Sequence, residues 1–103
     1  MELINQFKQI LEEKQAVNIK VLNISEISSL GDYFIIATAK NESHIDALTD
    51  YLAELAKPAN IEGLKKDGWV LLDFGNIIVH IFNEENRNFY NLERLWVDAK
   101  EIL

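Results

Sequence analysis

Two short apolar segments separated by Gly-Asn constrain the fold of this chain more than any other feature of its sequence. They run from Trp69 to Phe74 and from Ile77 to Phe82, and both are rich in β-branched, aromatic and leucine residues. The pair Gly75-Asn76 between them is typical of the two-residue turn that closes a β-hairpin. We therefore predict an antiparallel hairpin over these residues.

The turn also determines which side chains share a face of the hairpin, because side chains alternate along each strand. One face is wholly apolar and suits packing against helices. It comprises Val70, Leu72, Phe74, Ile77, Val79 and Ile81. The opposite face adds a carboxylate and an imidazole to large apolar groups. It comprises Trp69, Leu71, Asp73, Ile78, His80 and Phe82. Two arrangements stay open for this face: exposure to a partner, or cover by another helix with Asp73 and His80 at its wet margin.

The first third of the chain predicts one helix followed by two strands. Apolar residues at spacings of three and four indicate an N-terminal helix. These residues are Leu3, Ile4, Phe7, Ile10 and Leu11. Strands are predicted over Ile19 to Ile24 and over Tyr33 to Thr38, with a turn-rich stretch from Ile27 to Asp32 between them.

Two further helices flank the hairpin in sequence. One is predicted from about His44 until Pro58, with Asn41 or Ser43 as its N-terminal cap. The other is predicted to begin at about Asn88 or Asn91 and to have one apolar side. That side carries Leu92, Leu95, Trp96, Ala99 and Ile102.

These elements predict a single α/β domain over residues 1–103, with a mixed β-sheet and flanking helices on at least one face. A content of 49% hydrophobic residues is that of an ordinary globular chain. We expect the crossover through the second helix to be right-handed and to place the strand 69–74 parallel to the strand 33–38.

Charge and composition exclude several classes of function. With 17 acidic and 10 basic residues the net charge is −7, which repels nucleic-acid phosphates and anionic lipid but attracts a basic protein. The simpler alternative is that this charge only keeps the protein soluble. No apolar run approaches the roughly 18 residues of a membrane span, and the start lacks the basic flank of a signal peptide. We expect a cytoplasmic protein that binds neither membranes nor nucleic acid directly.

Catalytic and cofactor patterns are sparse in this sequence. The four glycines are too dispersed for a phosphate-binding loop. With two histidines and no cysteine, no metal site is predicted either. Asp73 and His80 lie diagonally on the predicted hairpin and could act as acid and base, but no serine or threonine accompanies them. We interpret them as a satisfied polar pair, and we predict no catalytic residue, no cofactor and no enzymatic activity.

The hairpin and the segment after it resemble a known family. The run from Gly68 to Phe82 has a tryptophan strand, an Asp-aromatic-Gly turn and a Val-His strand in the order found in the ribosome silencing factor (Iojap-like) family. The likeness continues through Arg87, Phe89-Tyr90 and the run from Leu92 to Ala99, and upstream in the strand from Asp32 to Thr38. Three positions depart from the family pattern: Ala39, Ser43 and Asn76.

The resemblance implies a nucleotidyltransferase-like core without its catalytic carboxylates. It also implies binding to the large ribosomal subunit through ribosomal protein fourteen, which blocks association with the small subunit and represses translation. A basic ribosomal partner suits an acidic chain. The alternatives are a degenerate nucleotidyltransferase-like enzyme and a homodimeric interaction module.

We expect the partner surface to lie on the mixed face of the hairpin and on the family-like segment after it. The candidate partner-binding residues are Trp69, Asp73, Phe74, Asn76, His80, Arg87, Tyr90 and Trp96. For Trp69 and Trp96, packing in the core is the competing role.

Overall fold

The protein is built on a mixed six-stranded sheet with helices on both faces, in a computed structural model that describes residues 2–27, 29 and 31–102, with the backbone alone at position 95. In chain order the elements are α1 (Glu2–Glu13), β1 (Val17–Asn23), β2 (Tyr33–Thr38), α2 (Glu42–Leu55), β3 (Asn60–Glu62), a 3₁₀ turn (Lys65–Asp67), β4 (Trp69–Asp73), β5 (Ile77–Phe82), α3 (Glu84–Tyr90), α4 (Leu92–Leu95) and β6 (Lys100–Glu101). The predicted α/β class with a mixed sheet is confirmed.

The strand order is β3-β4-β5-β2-β1-β6. The parallel neighbour of β2 is β5, and β4 pairs antiparallel with β5. The prediction that strand 69–74 runs parallel to strand 33–38 is therefore wrong. The reason is burial: every residue of β5 is buried, whereas β4 alternates between buried and half-buried positions. The strand that is buried along its whole length takes the centre of the sheet, and the hairpin turn then forces β4 to run the opposite way.

The hairpin itself forms as predicted. The Phe74 N–H donates to the carbonyl of Ile77 at 2.9 Å, which leaves Gly75 and Asn76 as the two turn residues. Gly75 has φ 93°, a conformation that glycine adopts without the steric cost of a Cβ. The pairs Trp69–Phe82 and Leu71–His80 stand opposite each other on the mixed face.

The apolar face of the hairpin packs under α1 and α2, as expected. It joins the buried helix residues in one core cluster: Ile4, Phe7, Leu11, Ile45, Leu48 and Leu52. Helix α2 begins at Glu42, two residues before the predicted start, and the side chain of Asn41 accepts the His44 N–H at 2.8 Å, so of the two predicted caps Asn41 is the one observed.

The mixed face is covered by the chain that follows the hairpin. A second core cluster on this side contains Phe34, Ile36, Ile78 and Phe82, with Leu92, Trp96 and Ala99 packed against it. The sequence left open whether this face is exposed to a partner or covered, and the structure shows it covered. His80 is only 4% exposed and is buried beneath the covering segment, not at its solvent-exposed edge as expected.

The predicted last helix is wrong as a single element. Asn91 takes a left-handed conformation with φ 46° between α3 and α4, and the chain then extends into β6, which pairs with β1. Ile102 donates its N–H to the Val21 carbonyl at 3.0 Å and packs against the first core rather than the second. Pairing of an otherwise open sheet edge outweighs continuation of the helix. The predicted place of the Leu95 side chain lies outside the described residues.

Smaller differences concern element ends. Strand β1 starts at Val17, two residues before the prediction, and ends at Asn23. Strand β3 was missed because its three residues are all exposed and show no apolar alternation. In the predicted turn-rich stretch, residues 28 and 30 lie outside the described part of the chain.

Candidate functional site

An aromatic cluster forms where the start of β4, the end of β5 and the end of α3 meet. Trp69 stacks on Phe82 with ring centroids 4.8 Å apart and an interplanar angle of 28°. Tyr90 tilts against Trp69 at 4.6 Å, and its side of the cluster faces solvent, with Tyr90 45% exposed. The Trp69–Phe82 contact follows from hairpin register, whereas Tyr90 is brought in by the direction of α3.

His80 lies beneath this cluster and is held neutral. The Trp69 Nε1–H donates to His80 Nδ1 at 3.2 Å, so in the neutral ring the proton sits on Nε2. Nε2 is buried and has no hydrogen-bond partner among the described residues. The ring packs edge-on against Phe34 with centroids 4.8 Å apart. Burial lowers the pKa of His80 to about 4, so the imidazole is uncharged at neutral pH.

Asp73 and His80 do not form the satisfied polar pair that the sequence suggested. Asp73 pairs with Ile78 and is diagonal to His80, which pairs with Leu71. The Asp73 Oδ1 accepts the Gly75 N–H at 2.8 Å. His80 instead takes its hydrogen bond from Trp69. Asp73 is therefore committed to the hairpin turn, and the two groups are not arranged as an acid–base pair.

Arg87 is a buried cation that ties the C-terminal cover to the sheet. Its Nε and Nη2 donate to the two carboxylate oxygens of Glu93, both at 3.0 Å, and its Nη1 donates to Thr38 Oγ1 at 2.8 Å. Burial raises the pKa of the Glu93 carboxyl, but the hydrogen bonds and positive charge of Arg87 outweigh this, and the pKa is lowered overall. The sequence could not indicate Thr38, which is 49 residues away from Arg87.

A groove of about 340 Å³ opens beside the aromatic cluster, at the edge of the sheet. Its lining residues are Glu62, Gly63, Asp67, Trp69, Leu71 and Tyr90. Sequence reasoning missed Glu62 and Asp67, because they lie in the loop region before the hairpin and share no periodic pattern with it. The pairing of Glu62 with Leu71 places Glu62 next to the aromatic rings, and the 3₁₀ turn before β4 places Asp67 there.

The other candidate residues occupy three separate places. Phe74 lies on the opposite sheet face, where it packs against Phe7 with ring centroids 4.6 Å apart. Asn76 is exposed in the turn, and its carbonyl accepts the N–H groups of Asp32 and Tyr33, both at 2.9 Å. Trp96 is half-buried and contacts Phe34 edge-on at 5.3 Å.

The eight candidates thus do not form one continuous face. The structure brings together Trp69, His80 and Tyr90, with Trp96 on the far side of Phe34. It separates Phe74 from them by the thickness of the sheet. Their roles in partner binding stay predictions.

The part of the chain that the structure describes contains no group of three His, Cys, Asp or Glu residues able to hold a metal ion. In the same residues no helix has the length and apolar character needed to cross a membrane.

Comparison with known proteins gives the family. The family described as "Ribosomal silencing factor during starvation" matches residues 1–103. The chain belongs to this family. It is 33% identical over 106 residues to a ribosomal silencing factor of Halalkalibacterium halodurans, covering 98% of this chain and 91% of that protein. It is 42% identical over 91 residues to the ribosomal silencing factor of Zymomonas mobilis, and the match covers 84% of this chain and 68% of that protein.

The silencing-factor fold is also found in solved structures. A crystal structure of a protein from Chromobacterium violaceum has a TM-score of 0.85 at 28% identity, covering 92% of this chain and 83% of that one. Among sequence relatives, a mouse protein is named for mitochondrial assembly of the ribosomal large subunit. It is 30% identical over 101 residues, and the match covers 90% of this chain and 44% of the mouse protein. The resemblance read from the hairpin and its following segment is therefore confirmed at the level of the family.

Proposed function

We propose that this chain binds the large ribosomal subunit through ribosomal protein fourteen and keeps the small subunit from joining, which represses translation. The observation that carries the proposal is the match to the silencing-factor family over the whole of residues 1–103. The name of the mouse relative, which refers to the large subunit, supports the choice of subunit.

The exposed side of the aromatic cluster is the best surface for this contact. Tyr90 is 45% exposed and the adjacent Phe89 is 78% exposed, so both rings are available to a partner. Large rigid aromatic side chains dominate binding energy in many interfaces, since they lose little conformational entropy on burial. The net charge of −7 favours encounter with a basic ribosomal protein.

The eight candidate residues then have different proposed roles. Trp69 and Tyr90 contact the partner. Asp73 and Asn76 lie at the other end of the hairpin, where they fix the turn, and Trp96 packs on the far side of Phe34. His80 and Arg87 are buried, so they hold the surface in shape from beneath. Phe74 acts from the other face by anchoring the hairpin to α1.

Steric exclusion is sufficient to block subunit joining. The molecule measures 35 × 29 × 23 Å along its principal axes. Contacts between macromolecular surfaces require atoms within about 4 Å of each other. A folded body of this thickness on the joining face holds the two subunits apart there, without any chemical step.

Sedimentation and light scattering with purified subunits test the proposal. We expect the protein to co-sediment with large but not with small subunits, and to lower the amplitude of subunit joining. Tyr90→Ala should weaken large-subunit binding about tenfold or more, whereas Tyr51→Ala, which truncates a similarly exposed ring on α2, should leave it unchanged.

Folding must be checked for each variant by circular dichroism and thermal melting. Equal binding of the wild-type protein to both subunits, or to neither, would refute the proposed function. If Tyr51→Ala weakens binding as much as Tyr90→Ala, the contact surface is wrongly placed while the function still stands.

A further inference from the structure

The groove beside the aromatic cluster has features that a general apolar contact surface does not need. One wall is aromatic, formed by Trp69 and the exposed ring of Tyr90. The lining also includes two acidic residues, Glu62 from β3 and Asp67 from the 3₁₀ turn. Aromatic ring faces and carboxylates both attract cations.

The groove is held in shape before any partner binds. Gly63 has φ 88°, and a Cβ at this position would collide with the Trp69 carbonyl, so the loop backbone lies directly against β4. The side chain of Asn86 on α3 donates to the carbonyl of Asp67 at 2.6 Å. This bond links the helix that carries Tyr90 to the turn that carries Asp67. A preformed site loses less free energy to ordering when it binds.

The two carboxylates are available for an outside charge. The salt bridges found among the described residues use other acids: Glu101 with Lys20, Asp46 with Lys65, and Glu93 with Arg87. Glu62 and Asp67 are both exposed in the free protein. Closure by a partner would remove them from water and strengthen their attraction for a cation.

We propose that this groove receives an arginine side chain of the basic ribosomal partner, its guanidinium group stacked on Tyr90 and paired with Glu62 and Asp67. A guanidinium fits better than an ammonium because it is planar, stacks on aromatic rings and presents several N–H donors to carboxylates. The inference rests on the proposed function, which it extends from a surface to one recognised chemical group.

Two isosteric substitutions separate charge recognition from shape. The variant Glu62→Gln with Asp67→Asn removes both charges and keeps the groove. The matched control, Glu54→Gln with Asp50→Asn, makes the same change in net charge on the exposed side of α2. We expect the groove variant to bind purified large subunits at least about tenfold more weakly, with a shallower dependence of affinity on salt, and the control to change binding less than about twofold.

A second pair of variants tests the aromatic wall. Tyr90→Phe keeps the ring and should bind like the wild type, since the ring face and not the hydroxyl makes the contact. Tyr90→Leu removes the π-system at similar apolar volume and should bind at least about fivefold more weakly.

Four results would overturn the inference. Unchanged affinity of the groove variant in folded protein shows that no cation enters, while the proposed function survives. Tighter binding of that variant shows that the groove faces ribosomal RNA phosphates. A solution dimer that dissociates in the groove variant, measured by analytical ultracentrifugation, shows that the occupant is a second copy. Absence of large-subunit binding by the wild type removes the proposed function and this inference together.

Discussion

Lowering the pH from neutral to about 5 should destabilise this protein through His80. The imidazole is 4% exposed and packs among the rings of Trp69, Phe34 and Phe82. Its Nδ1 accepts a hydrogen bond from Trp69, and a second proton on the ring would remove that acceptor. The folded state therefore opposes protonation, whereas the unfolded chain accepts a proton freely.

The sign and size follow from the difference between the folded and unfolded pKa values. Burial lowers the pKa of His80 from 6.5 in an unfolded chain to about 4 in the folded protein. Because the folded-state pKa is the lower one, the stability is present above pH 6.5, is lost progressively as the pH falls below 6.5, and is fully lost once the pH has fallen through about 4. A tenfold change in a proton-binding constant corresponds to about 1.4 kcal/mol, so the full loss is roughly 3 kcal/mol, and roughly 2 kcal/mol has gone by about pH 5. That is a large part of the stability of a small domain.

Urea unfolding at about pH 7 and about pH 5, for wild type and His80→Asn, measures this effect. The asparagine Oδ1 stands where Nδ1 stood, so it can still accept from Trp69, but it does not titrate in this range. We expect the wild type to lose roughly 2 kcal/mol more than the variant over this interval, whatever their difference at neutral pH. Parallel stability curves for the two proteins would refute the assignment of a suppressed pKa to His80.

Two further predictions concern the buried ion pair and the expected lack of nucleotide binding. Glu93→Ala leaves the buried Arg87 without its carboxylate and should lower the free energy of unfolding by about 2 kcal/mol, less than for a fully buried pair because Glu93 is 34% exposed. Glu101→Ala, which breaks the exposed pair with Lys20, should cost less than about 0.5 kcal/mol in the same denaturation assay, and equal losses would contradict the structural role of Arg87. Calorimetry with ATP or CTP and magnesium should show no saturable heat, whereas stoichiometric binding would favour the enzyme alternative.

The sequence was sufficient for several local features and for the family. The Gly75-Asn76 turn, the two faces of the hairpin and the Asn41 cap depend on residues close together in the chain, and all three are observed. Such features follow from backbone geometry and side-chain alternation, which act over a few residues. The family resemblance likewise rested on a contiguous run, from Gly68 to Phe82 and the segment after it.

The order of strands could not be derived in the same way. Both hairpin strands are rich in apolar residues, and only complete burial of β5 on both faces decided which of them neighbours β2. The split of the predicted last helix has a similar origin, since β6 gains its hydrogen bonds from β1, about 80 residues earlier in the chain. Local propensity does not include these distant partners.

The candidate site also combines features that the sequence determines with features that depend on distant contacts. The sequence by itself determined that Trp69, Tyr90 and an acidic surface belong to this protein, because residue types and net charge need no fold to be read. Only the tertiary structure decided that His80 and Arg87 are buried, that Phe74 faces away, and that two acids without any sequence pattern line a groove with the aromatic rings. The physical reason is that burial and long-range pairing are set jointly by the whole packed sheet, and no single segment carries that information.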